Sequence, residues 1–216
     1  MVRACWPRSS GDATRTHAER LPREILDTLS AAGLTTGDVD LFAVASGPGS
    51  FTGLRIGIAT VQGLAFVHHK PVAPVSVLRA LAEVAAMELP AGTRIGAWMD
   101  AHRREVFSAL YEIVTPGDDT HTSHLREIEG AHVSTAADTV ARWARVGPPV
   151  AIRGDGATLF SAVAPAGTRV IAAPSLAPVI GRLAPGTPAV SPAGIQPLYV
   201  RRPDAEIARD AALPKR

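Results

Sequence analysis

The sequence contains the run Ser46-Gly47-Pro48-Gly49-Ser50-Phe51-Thr52-Gly53-Leu54-Arg55-Ile56-Gly57. An apolar segment that favours a β-strand, residues 41–45, precedes the run, and an apolar helical pattern that reaches about residue 68 follows it. We therefore predict a strand-to-helix turn, with glycines where backbone angles closed to other residues are needed. Ser50 or Thr52 can cap the first helical turn. Such a turn can hold an anion on the amides of the helix start, or it can simply connect a strand to a close-packed helix.

The predicted helix is apolar nearly all the way round, which indicates burial on several sides. One apolar stripe consists of Leu54, Ile58, Val61 and Ala65, and a second consists of Gly53, Gly57, Thr60, Leu64 and Val67. Each helical glycine costs about 1 kcal/mol relative to alanine. The glycines at 53, 57 and 63 therefore predict close approach by another backbone, either that of the protein's own sheet or that of a partner chain. Arg55 is either solvated or turned toward a partner or a phosphate.

Composition fits a protein of one large domain or two small ones, since the 216 residues are 46% hydrophobic and 19% charged. The net charge of +2 and the absence of a dense Lys/Arg run argue against autonomous nucleic-acid binding. A single cysteine, Cys5, excludes an internal disulfide framework and fits a reducing compartment. The first residues lack the apolar core of a signal peptide, so we predict a cytoplasmic protein without a membrane anchor.

Strand and helix patterns alternate along the chain, which predicts an α/β fold with a mixed sheet. Helices are expected over residues 16–32, 76–88, 134–145 and 175–183, and strands over residues 38–45, 71–75, 150–153 and 169–172. Residues 94–99 and 105–114 are predicted to form a hairpin, and the polar residues 115–130 to form a loop. The predicted organisation is an irregular start at 1–15, an N-terminal lobe at 16–90, a C-terminal lobe at 91–203 and a tail at 204–216.

The residues do not match the common catalytic or metal-binding patterns, so no catalytic residue and no metal ligand is predicted. The opening run lacks the Lys-Ser/Thr of a Walker A loop, because Leu54 stands in place of the lysine. The histidines lack the spacing of a metal site, and no nucleophile elbow is present. Asp100 and Asp155 each follow a predicted strand, where a carboxylate can meet magnesium or can simply form a turn.

The residues resemble the bacterial tRNA threonylcarbamoyladenosine biosynthesis protein TsaB (YeaZ) family. The likeness is carried by the run at 46–57 together with its continuation, Ala59-Thr60 and Gly63-Leu64-Ala65. Further stretches are similar in the same order: residues 17–22, Asp100-Ala101-His102-Arg103-Arg104-Glu105-Val106-Phe107, Gly154-Asp155-Gly156 and Pro197-Leu198-Tyr199-Val200-Arg201. The resemblance implies two lobes of mixed sheet flanked by helices, the fold of actin, sugar kinases and Hsp70.

The resemblance also implies a function. Members are non-catalytic scaffolds or activators that join a catalytic TsaD-type subunit and a TsaE-type ATPase, and they meet tRNA only through that complex. ATP, magnesium and metal are implied for the partner subunits alone. The implied partner interface is a helix pair, for which we predict Leu21, Ile25, Leu29, Gly53, Gly57, Ile58 and Val61. The signature loop is predicted to comprise Gly47, Pro48, Gly49, Ser50, Phe51, Thr52, Gly53 and Arg55.

The start of the chain departs from the family pattern. The family opens with a strand, an Asp-Thr-Ser-type turn and a second strand, and residues 1–15 show no such pattern. The first lobe is therefore expected to lack its first strands. The rival interpretation is an independent ATP-binding enzyme or peptidase-like metallohydrolase of the same fold, which would use residues 47–53, Asp100 and Asp155. A homodimer built from the same apolar helices is a third interpretation.

Overall fold

The computed structural model describes residues 17–115 and 124–201. The helices are α1 (His17–Ala31), α2 (Phe51–Val67), α3 (Val77–Ala86), α4 (Ala136–Val146), α5 (Asp155–Leu159) and α6 (Ala177–Leu183). The strands are β1 (Phe42–Gly47), β2 (Val72–Ser76), β3 (Arg94–Asp100), β4 (Glu105–Ile113), β5 (Leu125–Thr135), β6 (Ala151–Arg153) and β7 (Arg169–Ile171). No helix within the described ranges combines the length and apolar character needed to cross a bilayer.

The described residues form two compact units. The first contains the residues up to Ser46, then Ser50–Val75 and Ile180–Pro197. The second contains Gly47–Gly49, Ser76–Val179 and the residues from Leu198 onward. The chain therefore passes from the first unit to the second at Gly47, Ser76 and Leu198, and back to the first at Ser50 and Ile180.

Besides Gly47–Gly49, two longer segments lie in a different unit from the predicted lobes at 16–90 and 91–203. Helix α3 belongs to the second unit, because its Leu78 and Leu81 are buried in one cluster with Ile95 of β3. Residues 180–197 belong to the first unit, where Val190 forms a bridge with Val72 at the edge of β2. The predicted start at 1–15 and the tail at 204–216 lie outside the described residues.

The first unit is a small sheet, β1 beside β2, covered by α2. The two strands begin together, since the Phe42 amide donates to the Pro71 carbonyl over 3.1 Å. One face of α2 fills the core of this unit with residues from both strands and from the returning segment; the cluster comprises Phe42, Val44, Ile58, Val61, Ala65, Val72 and Ile195. Helix α1 packs alongside α2.

The second unit is built on a five-stranded mixed sheet with the order β5-β4-β3-β6-β7. The pairs β3–β4 and β4–β5 are antiparallel, whereas the pairs β3–β6 and β6–β7 are parallel. Alternate residues of β3 point to opposite faces of the sheet. Ile95 and Ala97 pack on α3, and Trp98 packs with Trp143 of α4. The predicted hairpin and the predicted mixed sheet are both confirmed.

Strand β5 is the element that the sequence prediction missed. Residues 125–130 were expected to lie in a loop because of their polarity, yet they begin an eleven-residue strand at the edge of the sheet. At the start of this edge strand Arg126 and Glu127 are exposed, whereas Leu125 is buried. The helix that follows was predicted correctly, since the Thr135 hydroxyl accepts a hydrogen bond from the Asp138 amide at 3.1 Å and caps α4.

A polar network ties β4, β5 and α4 together around Arg142. Its guanidinium donates to both carboxylate oxygens of Glu129, at 2.9 and 3.0 Å, and to the hydroxyl of the buried Ser108 at 3.3 Å. Glu129 also accepts from the indole nitrogen of Trp143 at 3.0 Å. The Glu129 and Arg142 side chains are 24% and 27% exposed, so water can compensate only in part for a lost partner.

We therefore expect Glu129→Ala to lower the free energy of unfolding by about 2–3 kcal/mol, because it leaves the indole N–H of Trp143 without its acceptor and the partly buried guanidinium of Arg142 without its carboxylate. The matched control is Arg126→Ala, which removes a pair with Glu112 between the same two strands, but from a side chain that is 67% exposed. That change should cost no more than about 0.5–1 kcal/mol. Urea unfolding of both variants measures the difference, and equal losses would show that the network contributes no more than a surface pair.

Candidate docking surface

The turn between β1 and α2 is built as the sequence predicts. Gly47 has a φ of 122°, a backbone angle that side chains other than glycine rarely adopt. The Ser50 side-chain oxygen caps α2 by accepting from the Gly53 amide at 3.3 Å. Arg55 places its guanidinium carbon 3.9 Å from the centre of the Phe51 ring. This cation–π contact accounts for the position of Arg55 beside an exposed aromatic ring.

Helix α2 buries the first of the two predicted stripes, which comprises Leu54, Ile58, Val61 and Ala65. Ile58 and Val61, which were predicted to lie at a partner interface, belong to this buried stripe. These side chains are 4% and 7% exposed and pack in the core of their own unit, against residues of β1 and β2. A residue already covered by its own sheet has no surface left to offer a partner.

The glycines of α2 differ in their surroundings. A methyl group at Gly57 would lie 3.9 Å from a methyl of Val44 on β1, and one at Gly53 would lie 3.5 Å from the side chain of the capping Ser50. Both distances are ordinary van der Waals contacts. A methyl at Gly63 would meet nothing within 4 Å. The protein's own sheet therefore does not require a glycine at position 63, although that glycine lowers helix stability.

The opposite side of α2 is exposed, and we call it the outer face: Thr52, Arg55, Ala59, Gly63, Phe66 and Val67. The members recur at intervals of three and four residues, so they lie along one side of the helix. Its middle is small and apolar, and it ends in Phe66 and Val67, which are 68% and 70% exposed. Large apolar side chains that stay this open on a helix are typical of an interaction surface.

Helix α1 contributes less to this surface than predicted. Leu21, Ile25 and Leu29 are half-buried on α1, which packs alongside α2. Leu26 of α1 is a large apolar side chain that is 47% exposed, and the sequence prediction did not include it. The sequence prediction also omitted Ala59, Phe66 and Val67. A helix with several apolar stripes buries only the one that meets the sheet, and the sequence alone does not show which stripe that is.

The second glycine turn, Gly154-Asp155-Gly156, is explained by packing within the protein. Gly154 has a φ of 137°, and a methyl group on it would lie 1.7 Å from the carbonyl oxygen of Trp98. A methyl on Gly156 would lie 2.7 Å from the carbonyl carbon of Met99. The turn therefore lies directly against the backbone of β3. Its glycines are needed for this contact whether or not a phosphate binds.

The two aspartates of the rival interpretation also have partners within the chain. Asp155 accepts from the Asp100 amide at 3.1 Å and from the Gly156 amide at 2.8 Å. Asp100 accepts from the His102 amide at 2.8 Å and lies 3.2 Å from the His102 Nδ1. The arrangement joins the ends of β3 and β6. Among residues 17–115 and 124–201, no three His, Cys, Asp or Glu side chains converge as a metal site.

The sequence of residues 10–162 matches the family model described as TsaD, tRNA N6-adenosine threonylcarbamoyltransferase. An uncharacterised protein of Mycobacterium tuberculosis is 34% identical over 199 residues, which cover 89% of this chain and 78% of that protein. The tRNA threonylcarbamoyladenosine biosynthesis protein TsaB of Haemophilus influenzae is 44% identical over 95 residues, 44% of this chain and 40% of that protein. The solved structure of YeaZ from Pseudomonas aeruginosa superposes with a TM-score of 0.67 at 29% identity, covering 86% of this chain and 85% of that one.

A second solved structure, of an uncharacterized protein with similarity to peptidase YeaZ from Pseudomonas aeruginosa, superposes with a TM-score of 0.69 at 30% identity, covering 87% of this chain and 85% of that one. The chain belongs to the TsaB (YeaZ) family. Membership confirms the predicted fold class, the α/β fold that the TsaB family shares with actin, sugar kinases and Hsp70. The match to the H. influenzae TsaB spans only about two fifths of that protein. The match to the TsaD model includes α1, α2 and the hairpin of β3 and β4.

We expect Gly154→Ala to lower the free energy of unfolding by about 3 kcal/mol or more, because the added methyl meets backbone and the φ is unfavourable for alanine. Gly181→Ala is the matched control, since Gly181 lies in α6 with nothing within 4 Å of an added methyl. That change should be neutral or slightly stabilising. Denaturant unfolding tests both, and a Gly154→Ala protein of unchanged stability would mean that the glycine serves something other than packing.

Proposed function

We propose that this chain is the non-catalytic, accessory subunit of the complex that makes threonylcarbamoyladenosine next to the anticodon of tRNAs reading A-starting codons. The name of the H. influenzae relative and the description of the matching family model both support a place in this tRNA modification. In this proposal the chain acts in the cytoplasm with a catalytic TsaD-type subunit and a TsaE-type ATPase. It meets tRNA only within the complex.

The sequence at the start of α3 supports an accessory role. The catalytic sibling is expected to carry His-x-x-x-His on the corresponding helix, which places two imidazoles on one face to hold a metal. Here the helix begins Ser76-Val77-Leu78-Arg79-Ala80. Ser76 accepts from the Arg79 amide at 3.4 Å as a helix cap. Val77, Leu78 and Ala80 are buried, so these side chains contribute to packing.

The observation that carries the docking part of the proposal is the outer face of α2. Small residues at Ala59 and Gly63 let a partner helix approach to the short end of the usual 8–10 Å interaxial distance. Phe66 and Val67 supply large apolar area at one end of the face. We propose that helices of the TsaD-type subunit cover this face, and that a second copy of the chain covers it when that subunit is absent.

A single substitution tests the docking surface. Ala59→Arg places a long charged side chain in the middle of the outer face, and arginine is nearly as good a helix former as alanine. The variant should keep its stability to within about 0.5 kcal/mol, but it should lose co-purification with the TsaD-type subunit. Ala144→Arg is the control, because Ala144 is an exposed alanine of another helix, α4. Retained binding by Ala59→Arg would overturn the assignment of this face.

Gly63→Ala separates helix stability from docking. With no neighbour within 4 Å of the added methyl, the change should raise the free energy of unfolding by about 0.5–1 kcal/mol. If the partner helix contacts Gly63, the same methyl weakens association measured by titration calorimetry. A higher free energy of unfolding with unchanged partner affinity would mean that the partner does not contact Gly63.

The proposal extends to cofactors: the isolated chain binds neither ATP nor a divalent metal, and those belong to the partner subunits. The two aspartates that the rival interpretation would use accept hydrogen bonds within the chain, and packing requires the glycines of the turn at 154–156. Calorimetric titration of the purified chain with Mg-ATP and with Zn²⁺ should show no saturable heat. A saturable one-site response to Mg-ATP would favour an independent nucleotide-binding enzyme instead.

A further inference from the structure

The turn that joins β3 to β4 adopts a backbone that its sequence does not favour. His102, Arg103 and Arg104 have φ values of 59°, 53° and 64°. Side chains other than glycine, asparagine and aspartate rarely adopt this left-handed region, and three bulky residues in succession are unusual there. Glycine or asparagine would be the favoured choice on stability alone. The turn is therefore a place where the local sequence opposes the local structure, which is characteristic of functional positions.

Several contacts hold the turn in place. The Arg201 guanidinium donates to the Ala101 carbonyl at 2.7 Å, pairs with Glu105 and lies over the ring of Phe107. On the other side Asp100 accepts from the His102 amide. The turn is therefore fixed at both strand ends, whereas Arg103 and Arg104 at its tip are exposed. A positively charged group held in advance loses little conformational entropy when it binds.

We propose that this basic turn, His102-Arg103-Arg104, binds the phosphate backbone of the tRNA. The proposal rests on the proposed function, because it names the surface through which that subunit meets its nucleic acid. Arginine is suited to this task, since its planar guanidinium can donate two parallel hydrogen bonds to one phosphate. The proposed function uses α2 for the protein partner and leaves the turn without a role.

The charges around the turn determine the distance over which it can attract a phosphate. The carboxylates of Asp100 and Glu105 lie at its base, and they interact with His102 and Arg201 respectively. Asp155 accepts hydrogen bonds from two backbone amides nearby. Because these acids offset much of the positive charge, we infer contact at short range and little steering over distance. The contact should be independent of tRNA sequence, because it goes to the backbone.

Arg104→Gly tests the proposal, because glycine suits the left-handed backbone and removes the charge. The melting temperature should rise by a few degrees. In the complex with the TsaD-type subunit, the affinity for an unmodified tRNA transcript should fall about tenfold, and the slope of log K against log salt should fall by roughly 0.7–0.9. The double change Arg103→Gly/Arg104→Gly should lower the slope by about twice as much.

Two control variants accompany this measurement. Arg104→Lys keeps the charge and should retain most of the salt slope, whereas Arg145→Ala removes an exposed charge from α4 and should leave tRNA affinity unchanged. Unchanged tRNA affinity in Arg104→Gly overturns the proposal. So does a loss that comes with reduced binding of the TsaD-type subunit, which would identify the turn as a protein contact.

Failure of the proposed function gives a different result. If the wild-type chain does not bind the TsaD-type subunit at all, the accessory role is wrong. The turn is then tested by measuring tRNA binding to the isolated chain. Weaker tRNA retention by Arg104→Gly than by the wild-type chain, measured at low salt by filter binding, would support the turn as a phosphate contact. Equal retention by the two proteins would overturn it.

Discussion

Helix α2 packs on its sheet through one side, and the choice of side fixes what the first unit can present to a partner. Leu54, Ile58, Val61 and Ala65 are buried, and burying a large aliphatic side chain contributes about 1.5–3 kcal/mol. The three larger members together therefore resist any rotation of the helix that would expose them. The outer face follows from this constraint, because its residues lie on the opposite side of the same helix. A surface of small residues ending in Phe66 and Val67 is thus held outward by the core beneath it.

Glycine serves different purposes in the turn at 154–156 and in helix α2. At Gly154 and Gly156 the backbone of β3 is too close for any side chain, so packing alone requires glycine. At Gly63 no neighbour among the described residues requires it, and the residue makes α2 less stable than alanine would. A glycine that lowers stability without an intramolecular reason points to close approach by another molecule, whereas one that permits a contact within the chain does not.

Three features of this protein lower its stability, and we propose that each of them serves the binding of a partner molecule. Phe66 and Val67 leave apolar area in water; Gly63 weakens its helix; and the turn at His102–Arg104 holds an unfavourable backbone. Each would be easy to improve by substitution if folding were the only requirement. The rest of the second unit follows the usual rules closely, with a capped α4, a two-sided core and a polar network in which the Arg142 guanidinium has partners. The exceptions therefore lie on the surfaces that we assign to protein docking and to tRNA.

The amino-acid sequence determined the local elements with strong patterns: the turn at 46–57, the apolar period of α2, the β3–β4 hairpin and the Thr135 cap. It also carried the family resemblance that membership in the TsaB family confirms. It did not reveal β5, because an edge strand with one side in water has the composition of a loop. It placed Ile58 and Val61 on a partner surface, because a helix apolar on several sides does not say which stripe meets the sheet. Tertiary structure decided these points, as well as the return of residues 180–197 to the first unit. Burial depends on which segments distant in the chain come to lie side by side, and local periodicity contains no information about that.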